Sequence, residues 1–163
     1  MRKIKDGSLY LVLSEDYGDG KPLMSIAEQA VAGGIDILQM REKHKSKEEL
    51  LQLGGALAEL CKKNGITFIV NDDPLLAVEL EADGVHMGQE DFQQCPLGKV
   101  RHLVGQNRII GLSTHSLEQF QRGHEIDVDY LAFGPIFPTR TKNYSIGTGD
   151  IQEVMTFSVF PGN

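Results

Sequence analysis

The stretch TFIVNDDPLLAVELEADGVHMGQED, residues 67–91, decides the fold, because it holds two short apolar runs separated by a helical pattern. The runs at 67–72 and 84–89 have the length of buried strands, and the segment between them has the spacing of a helix. Asp73 followed by Pro74 is typical of a helix start, since proline at the first helical position gives up an amide that has no partner there. The stretch therefore predicts one strand–helix–strand unit of a parallel sheet.

The same alternation extends through the chain of 163 residues. Six βα units in a single domain, residues 1–163, leave two α/β architectures open: a doubly wound open sheet, or a TIM-type barrel whose last quarter is missing. Helix ends are predicted at two capping boxes, Ser46 with Glu49 and Ser116 with Gln119, and at a stop at Gly65. The other predicted strands are 8–14, 36–42, 108–114 and 130–136, and the other predicted helices are 22–34, 46–65, 96–107, 116–126 and 151–160.

Composition excludes several classes of function. The net charge is −7, whereas a general nucleic-acid or anionic-membrane surface needs an excess of Lys and Arg, so neither partner is expected. The apolar part of the first twenty residues is too short for a signal peptide or a membrane span, and we expect a cytoplasmic protein. Cys61 and Cys95 lie in no metal-binding spacing and are expected to be reduced thiols.

Polar side chains follow five consecutive predicted strands. Because the carboxyl ends of parallel strands meet on one face of such folds, where their chemistry is placed, these side chains are the candidate site. The i, i+2, i+4 spacing of the first three places them on the same side of their strand. The candidates are Gln39, Arg41 and Lys43, then Asn71 and Asp72, then Asp91, then Ser113, and finally Thr139, Arg140, Thr141 and Lys142.

Each cluster also has a purely structural interpretation. The Gln-x-Arg-x-Lys triplet can be a solvated strand end, and Asp73 can serve the helix that follows it. His86, inside an apolar strand, is more often a hydrogen-bonded core histidine than a ligand. Ser113 and His115 make a poor nucleophilic pair, because no acid is placed to orient the histidine. The joint occurrence of the clusters is what favours a functional site.

The charges of these residues indicate which ligand they suit. Arg41, Lys43 and Lys142 are cations, whereas Asp72 and Asp91 would repel a polyanion unless a divalent cation lay between them. Magnesium takes one or two carboxylates together with phosphate oxygens and water. The set therefore fits a Mg²⁺-bound diphosphate, and no GxxxxGK[ST] loop of an ordinary nucleotide hydrolase is present in the sequence.

At these positions the chain resembles the thiamine phosphate synthase family. The matching segments, in family order, are LQMREK, IVNDD, ADGVHMGQED, GLSTHS and GPIFPTRTK, and the resemblance extends from about residue 8 to residue 143. The resemblance implies a closed (β/α)8 barrel of which this chain holds about six of the eight units. It also implies a transferase of thiamine biosynthesis that joins a hydroxymethylpyrimidine diphosphate to a thiazole phosphate.

The resemblance also implies a role for each candidate residue. Asp72 and Asp91 carry Mg²⁺, and Arg41, Lys43 and Lys142 stabilise the leaving diphosphate and are therefore the expected catalytic residues. Thr139, Arg140 and Thr141 hold the phosphate of the thiazole. The residues expected to bind the pyrimidine diphosphate are Gln39, Arg41, Lys43, Asn71, Ser113 and Lys142.

Family members continue through two further strands, and the resemblance stops near Pro161. A barrel lacking those strands is expected to be less stable and to associate through its open sheet edges, with a diphosphate half-site more complete than the thiazole half-site. Two alternatives to synthase activity therefore stay open. One is a truncated, non-catalytic product that binds the pyrimidine diphosphate or another chain, and the other is a related thiazole tautomerase, which needs no diphosphate or Mg²⁺ residues.

Overall fold

The computed structural model describes residue 4 and residues 7–134, and within them all six predicted strands are present. The strands are parallel and pair in chain order, so each strand lies beside the next one along the sequence. A doubly wound sheet reverses its strand order part of the way across, and this sheet does not. The observed order is that of a TIM-type barrel. The strands are β1 (Tyr10–Leu13), β2 (Ile37–Met40), β3 (Thr67–Asn71), β4 (Gly84–Met87), β5 (Ile109–Thr114) and β6 (Tyr130–Phe133).

Helices follow the strands, and five of those in the described part of the chain were predicted. The unpredicted helix is α4, whose sequence QEDFQQ carries Phe92 as its one large apolar residue and so lacks an apolar period. The helix predicted at 151–160 lies outside the described residues. The helices are α1 (Leu23–Ala32), α2 (Lys47–Asn64), α3 (Pro74–Glu79), α4 (Gln89–Gln94), α5 (Leu97–Val104) and α6 (Leu117–Gly123), and a 3-10 turn covers Glu15–Tyr17.

The helix ends show why these segments stop and start where they do. The predicted capping box of α2 is confirmed: the Glu49 amide donates to Ser46 Oγ at 3.3 Å, and the Ser46 amide donates to Glu49 Oε2 at 2.8 Å. Asp73 caps α3 by accepting from the amides of Leu75 and Leu76, both at 2.9 Å. Gly65 ends α2 in the left-handed conformation, with φ of 75°.

The second predicted capping box, at α6, is wrong in one half. The Gln119 amide donates to Ser116 Oγ at 3.2 Å, as expected. The Gln119 side chain, however, accepts from the amide of His115 at 2.7 Å and not from that of Ser116. The longer side chain reaches one residue further back, and thereby fixes the backbone directly after β5.

Successive side chains along each strand belong to two different apolar layers. Leu38, Met40 and Val70 face outward and pack into the core between the sheet and its helices. Ile37 and Ile69, one residue earlier on the same strands, face inward and form a separate inner cluster with Ile109 and Tyr130. Period-two alternation in a parallel sheet covered by helices produces this division.

Two expectations from composition can be compared with the described residues. Cys61 is a reduced thiol buried on α2, and Cys95 is a reduced thiol, half-buried, directly after α4. Among residues 7–134, none of the helices combines the length and the apolar character needed to traverse a bilayer.

Two adjacent glycines on α2 test the packing of the outer layer. A Cβ on Gly54 would lie 2.4 Å from Leu80 Cδ1 and 3.2 Å from Met40 Cε, whereas a Cβ on Gly55 would meet nothing within 4 Å. Gly55→Ala should stabilise the fold by about 0.5–1 kcal/mol, because alanine favours the helix. Gly54→Ala should be about 1–3 kcal/mol less stable than Gly55→Ala, because the added methyl overpacks the core. Urea unfolding measures both, and equal midpoints would contradict the close approach of α2 to Leu80.

Candidate active site

A cavity of about 280 Å³ opens where the chain leaves the carboxyl ends of β2 to β5. This is the face on which barrel folds carry their chemistry. Most of the lining is charged or able to hydrogen-bond. The lining residues are Arg41, Lys43, Asn71, Asp72, His86, Gly88, Gln89, Glu90, Asp91 and Ser113.

The cations come from the segment after β2. The Arg41 amide donates to the Leu13 carbonyl at 2.9 Å, which anchors this segment to the end of β1. Both Arg41 and Lys43 line the cavity, as their spacing predicted. Gln39, two residues earlier, is buried behind the lining, and its Nε2 donates to Asn71 Oδ1 at 2.6 Å. It therefore contacts the site through Asn71.

Asp72 lies at the turn after β3 in an unusual backbone conformation, with φ of 63°. Asn71 Nδ2 donates to its Oδ2, and the Gly88 amide donates to its Oδ1 at 3.1 Å. The backbone amide of Asp72 itself donates to the His86 carbonyl at 2.8 Å. The carboxylate accepts two hydrogen bonds and its left-handed backbone is anchored to His86, so it is fixed in direction and points at the residues that follow β4.

Asp72 and Asp91 face each other across Gly88. A Cβ on Gly88 would lie 2.7 Å from Asp91 Oδ2 and 3.6 Å from Asp72 Oδ1, so both carboxylates are adjacent to this one point. Burial raises the pKa of Asp72 above its usual value, and repulsion from Asp91 raises this pKa further, while the Gly88 amide and Lys43 oppose the change. The energy of holding the two charges together is what a divalent cation would relieve.

This donor pair fits Mg²⁺. Within residues 7–134 there is no group of three or more His, Cys, Asp or Glu placed to hold a metal ion. Two carboxylates are nevertheless the usual protein share of a magnesium site, with phosphate oxygens and water supplying the other ligands. The cations Arg41 and Lys43 line the same cavity and suit a phosphate group.

Ser113 lines the cavity at the end of β5. Its hydrogen-bond partner is His86, which was interpreted from the sequence as a core histidine. Ser113 Oγ is 2.8 Å from His86 Nε2, while His86 Nδ1 is 2.7 Å from the Tyr130 hydroxyl. The structure confirms that His86 is buried and hydrogen-bonded, and it shows in addition that His86 lines the cavity. His115, the alternative partner of Ser113, instead has its Nδ1 against the carbonyl of Gly134.

The structure thus brings together seven of the predicted residues and adds two, His86 and Gln89, to which the site interpretation gave no role. Gln89 lies two residues after β4, among the polar residues at this strand end, but it was assigned no role; its Nε2 donates to the Ser113 carbonyl. His86 was given no role because it lies inside an apolar run. It is two residues after Gly84, which faces inward, and residues two apart on a strand face the same side, so this spacing could have placed His86 on the inner face. Thr139, Arg140, Thr141 and Lys142 lie outside the described residues. The predicted residues brought together are Gln39, Arg41, Lys43, Asn71, Asp72, Asp91 and Ser113.

Comparison with known proteins finds a family match over almost the whole chain. The family described as thiamine monophosphate synthase matches residues 9–157. The thiamine-phosphate synthase of Persephonella marina is 39% identical over 158 residues, which is 96% of this chain and 74% of that protein. The thiamine-phosphate synthase of Shouchella clausii is 41% identical over 139 residues, covering 85% of this chain and 65% of its own length.

A solved structure gives the same result for the fold. The thiamine phosphate pyrophosphorylase of Pyrococcus furiosus superposes with a TM-score of 0.72 at 32% sequence identity. The superposition covers 81% of this chain and 62% of that one. This chain therefore spans roughly two thirds of the length of its relatives, from 62% to 74% for the three compared here.

The raised pKa of Asp72 gives a prediction for the metal-free protein. A raised pKa means that the folded chain holds this proton more tightly than the unfolded chain, so the free energy of unfolding declines as pH rises from about 4 through the Asp72 pKa. Asp91→Asn should lower the Asp72 pKa, yet leave it above its usual value, because burial is the larger cause. Carboxyl-carbon NMR titration measures the change. Glu90→Gln removes a neighbouring charge that lines the same cavity and should leave the Asp72 titration in place; an equal shift in both variants would contradict the pairing.

Proposed function

This chain belongs to the thiamine monophosphate synthase family, and we propose that it catalyses the synthase reaction. The substrates are 4-amino-2-methyl-5-hydroxymethylpyrimidine diphosphate and 4-methyl-5-(2-phosphooxyethyl)thiazole, and the products are thiamine phosphate and diphosphate. One observation carries the proposal: a facing carboxylate pair, Asp72 and Asp91, shares a cavity with Arg41 and Lys43. That combination suits a Mg²⁺-bound diphosphate.

Within this proposal the described residues act mainly on the pyrimidine diphosphate. Asp72 and Asp91 would hold Mg²⁺, which when bound neutralises charge on the diphosphate. Arg41 and Lys43 bind the phosphate oxygens directly, with Lys142 as a third cation. Asn71 and Ser113 supply the remaining polar contacts to this substrate, and Gln39 contributes through its hydrogen bond to Asn71. Thr139, Arg140 and Thr141 are proposed to bind the phosphate of the thiazole.

The chemistry needs no protein nucleophile. The bond between the exocyclic methylene carbon and the diphosphate oxygen breaks, and diphosphate leaves with the electron pair. The thiazole nitrogen then uses its lone pair to form the new carbon–nitrogen bond. Arg41 and Lys43 contribute by stabilising the charge that develops on the leaving oxygen, and the walls of the cavity hold the two substrates close together.

Two further proposals concern the setting of the reaction. The enzyme is proposed to act in the cytoplasm, in keeping with a biosynthetic reaction on phosphorylated small molecules. Self-association through a strand edge stays a prediction: within residues 7–134, β1 and β6 each pair with one strand, and the other edge of each is the surface concerned.

The reaction is tested by incubating the purified chain with both substrates and Mg²⁺ and measuring thiamine phosphate and diphosphate. We expect both products in equal amounts, with loss on chelation of Mg²⁺ and in Asp72→Ala, because the carboxylate pair would no longer hold the metal. Binding of the pyrimidine diphosphate without turnover would support the non-catalytic alternative. Isomerisation of the thiazole without Mg²⁺ would support the tautomerase.

The role of the cations is tested by Arg41→Ala. Loss of one preorganised donor to developing negative charge lowers kcat about 10²- to 10³-fold in other enzymes, and we expect a loss of that size here. Arg122→Ala is the matched control, because Arg122 is exposed on α6 and pairs with Glu118 four residues earlier. Steady-state kinetics with the pyrimidine diphosphate as the varied substrate measure both variants. Similar rates for the two would remove Arg41 from the mechanism.

A further inference from the structure

A continuous chain of four hydrogen-bonding side chains crosses the interior of the barrel and ends in the cavity. The hydroxyl oxygens of Tyr10 and Tyr130 are 2.8 Å apart, and the Tyr130 hydroxyl is 2.7 Å from His86 Nδ1. His86 Nε2 is in turn 2.8 Å from Ser113 Oγ. Tyr130 and His86 are buried, with 4% and 7% of their surface exposed. These four side chains, from β1, β6, β4 and β5, are called the relay below.

The relay depends on a missing side chain in β5. His86, Gly111 and Tyr130 are register partners on three adjacent strands. A Cβ on Gly111 would lie 2.0 Å from Tyr130 Cζ and 2.3 Å from its hydroxyl oxygen. The Tyr130 ring therefore lies directly over the backbone of β5 and stacks against the His86 ring, with centroids 5.5 Å apart. Any larger residue at 111 would keep the tyrosine from reaching across the strand.

The relay differs from a nucleophilic triad in its third member. The group behind His86 is a phenol, whereas a carboxylate would stabilise an imidazolium and so activate the serine as a nucleophile. Burial raises the pKa of Tyr10 and of Tyr130, so both phenols stay protonated near neutral pH. Each hydroxyl of the relay accordingly has one proton to donate, and a neutral His86 has one N–H.

Because each of the four side chains has one proton to donate, the three hydrogen bonds of the relay can all run in one of two directions. In the first, Tyr10 donates to Tyr130, Tyr130 donates to His86 Nδ1, and His86 Nε2–H donates to Ser113, whose own O–H then points into the cavity. In the second, Ser113 donates to His86 Nε2, and every other bond is reversed. The first direction presents a donor to the ligand, and the second presents acceptor lone pairs.

We propose that Tyr130 is a positioning residue that holds His86 as the Nε2–H tautomer, so that Ser113 donates its hydroxyl proton to the bound diphosphate. This inference rests on the proposed function, since it takes the ligand beside Ser113 to be a diphosphate. Phosphate oxygens accept hydrogen bonds, and Arg41 and Lys43 line the same cavity as further donors. In this direction the relay makes the Ser113 hydroxyl, which is able to donate or accept, the donor that the anion needs.

The tautomer is measured by long-range ¹H–¹⁵N correlation of chain labelled with [¹⁵N]histidine, in the presence of Mg²⁺ and inorganic diphosphate. The ring nitrogens of the two neutral tautomers and of the imidazolium give distinct patterns. We expect the Nε2–H pattern for His86 in the unaltered chain and its loss in Tyr130→Phe. An Nδ1–H or imidazolium pattern in the unaltered chain would overturn the inference. Because that outcome is read from the unaltered chain, it does not depend on whether Tyr130→Phe folds.

The action of Tyr130 through Ser113 is tested by a double-mutant cycle on the affinity for inorganic diphosphate with Mg²⁺, measured by calorimetry. Tyr130→Phe and Ser113→Ala should each weaken binding about threefold to thirtyfold, and the double variant should be no weaker than Ser113→Ala alone. Tyr17→Phe, on an exposed tyrosine, is the control and should bind as the unaltered chain does.

The cycle separates failure of the inference from failure of the proposed function. Additive losses in the double variant would mean that Tyr130 acts through general packing, and would overturn the inference while leaving the diphosphate site in place. No binding by the unaltered chain would overturn the diphosphate site, and the inference with it. If Tyr130→Phe does not fold, as judged by its thermal melt, Tyr10→Phe takes its place in the cycle, because it removes the first donor of the relay at a half-buried position.

Discussion

The alternation of side chains along parallel strands that are held in register is the constraint on which the rest of the structure depends. The outer face of each strand supplies the apolar surface that packs against the helices. The inner face is therefore able to carry polar side chains without loss of the core. The Met40 side chain packs under the helices, while Gln39, its neighbour, turns inward to Asn71. A shift of one residue in the pairing of β2 would exchange the two and remove both the core contact and the site contact.

The carboxylate pair shows where this fold gives up stability locally. Asp72 combines a left-handed backbone, partial burial and a like charge nearby, and each of these raises the free energy of the metal-free fold. The hydrogen bonds from Asn71 and Gly88 offset part of this cost. A group under such strain is a candidate functional residue, because a purely structural position would be more stable with an uncharged side chain.

Much of the fold and part of the site could be predicted from the sequence, since both follow from local patterns. The strands, the Ser46 capping box and the polar residues after the strands all have signals within a few neighbouring residues. The Tyr130–His86 contact has none, because it depends on three strands being in register and on the absent side chain of Gly111. The partner of the Gln119 side chain could not be predicted for a similar reason: two backbone amides one residue apart compete for it.

The site is preorganised by two hydrogen-bond networks that approach the same cavity from different sides. Gln39, Asn71 and Asp72 form a network along the ends of β2 and β3, and the Gly88 amide joins it to β4. The relay reaches Ser113 through the barrel interior, and Gln89 fixes the Ser113 backbone from the start of α4. Because each network links adjacent or facing strands, any movement of one functional group requires its neighbours to move as well. Electrostatic stabilisation of a leaving anion depends on groups that do not need to reorient during the reaction, and the inner face of a registered parallel sheet provides them.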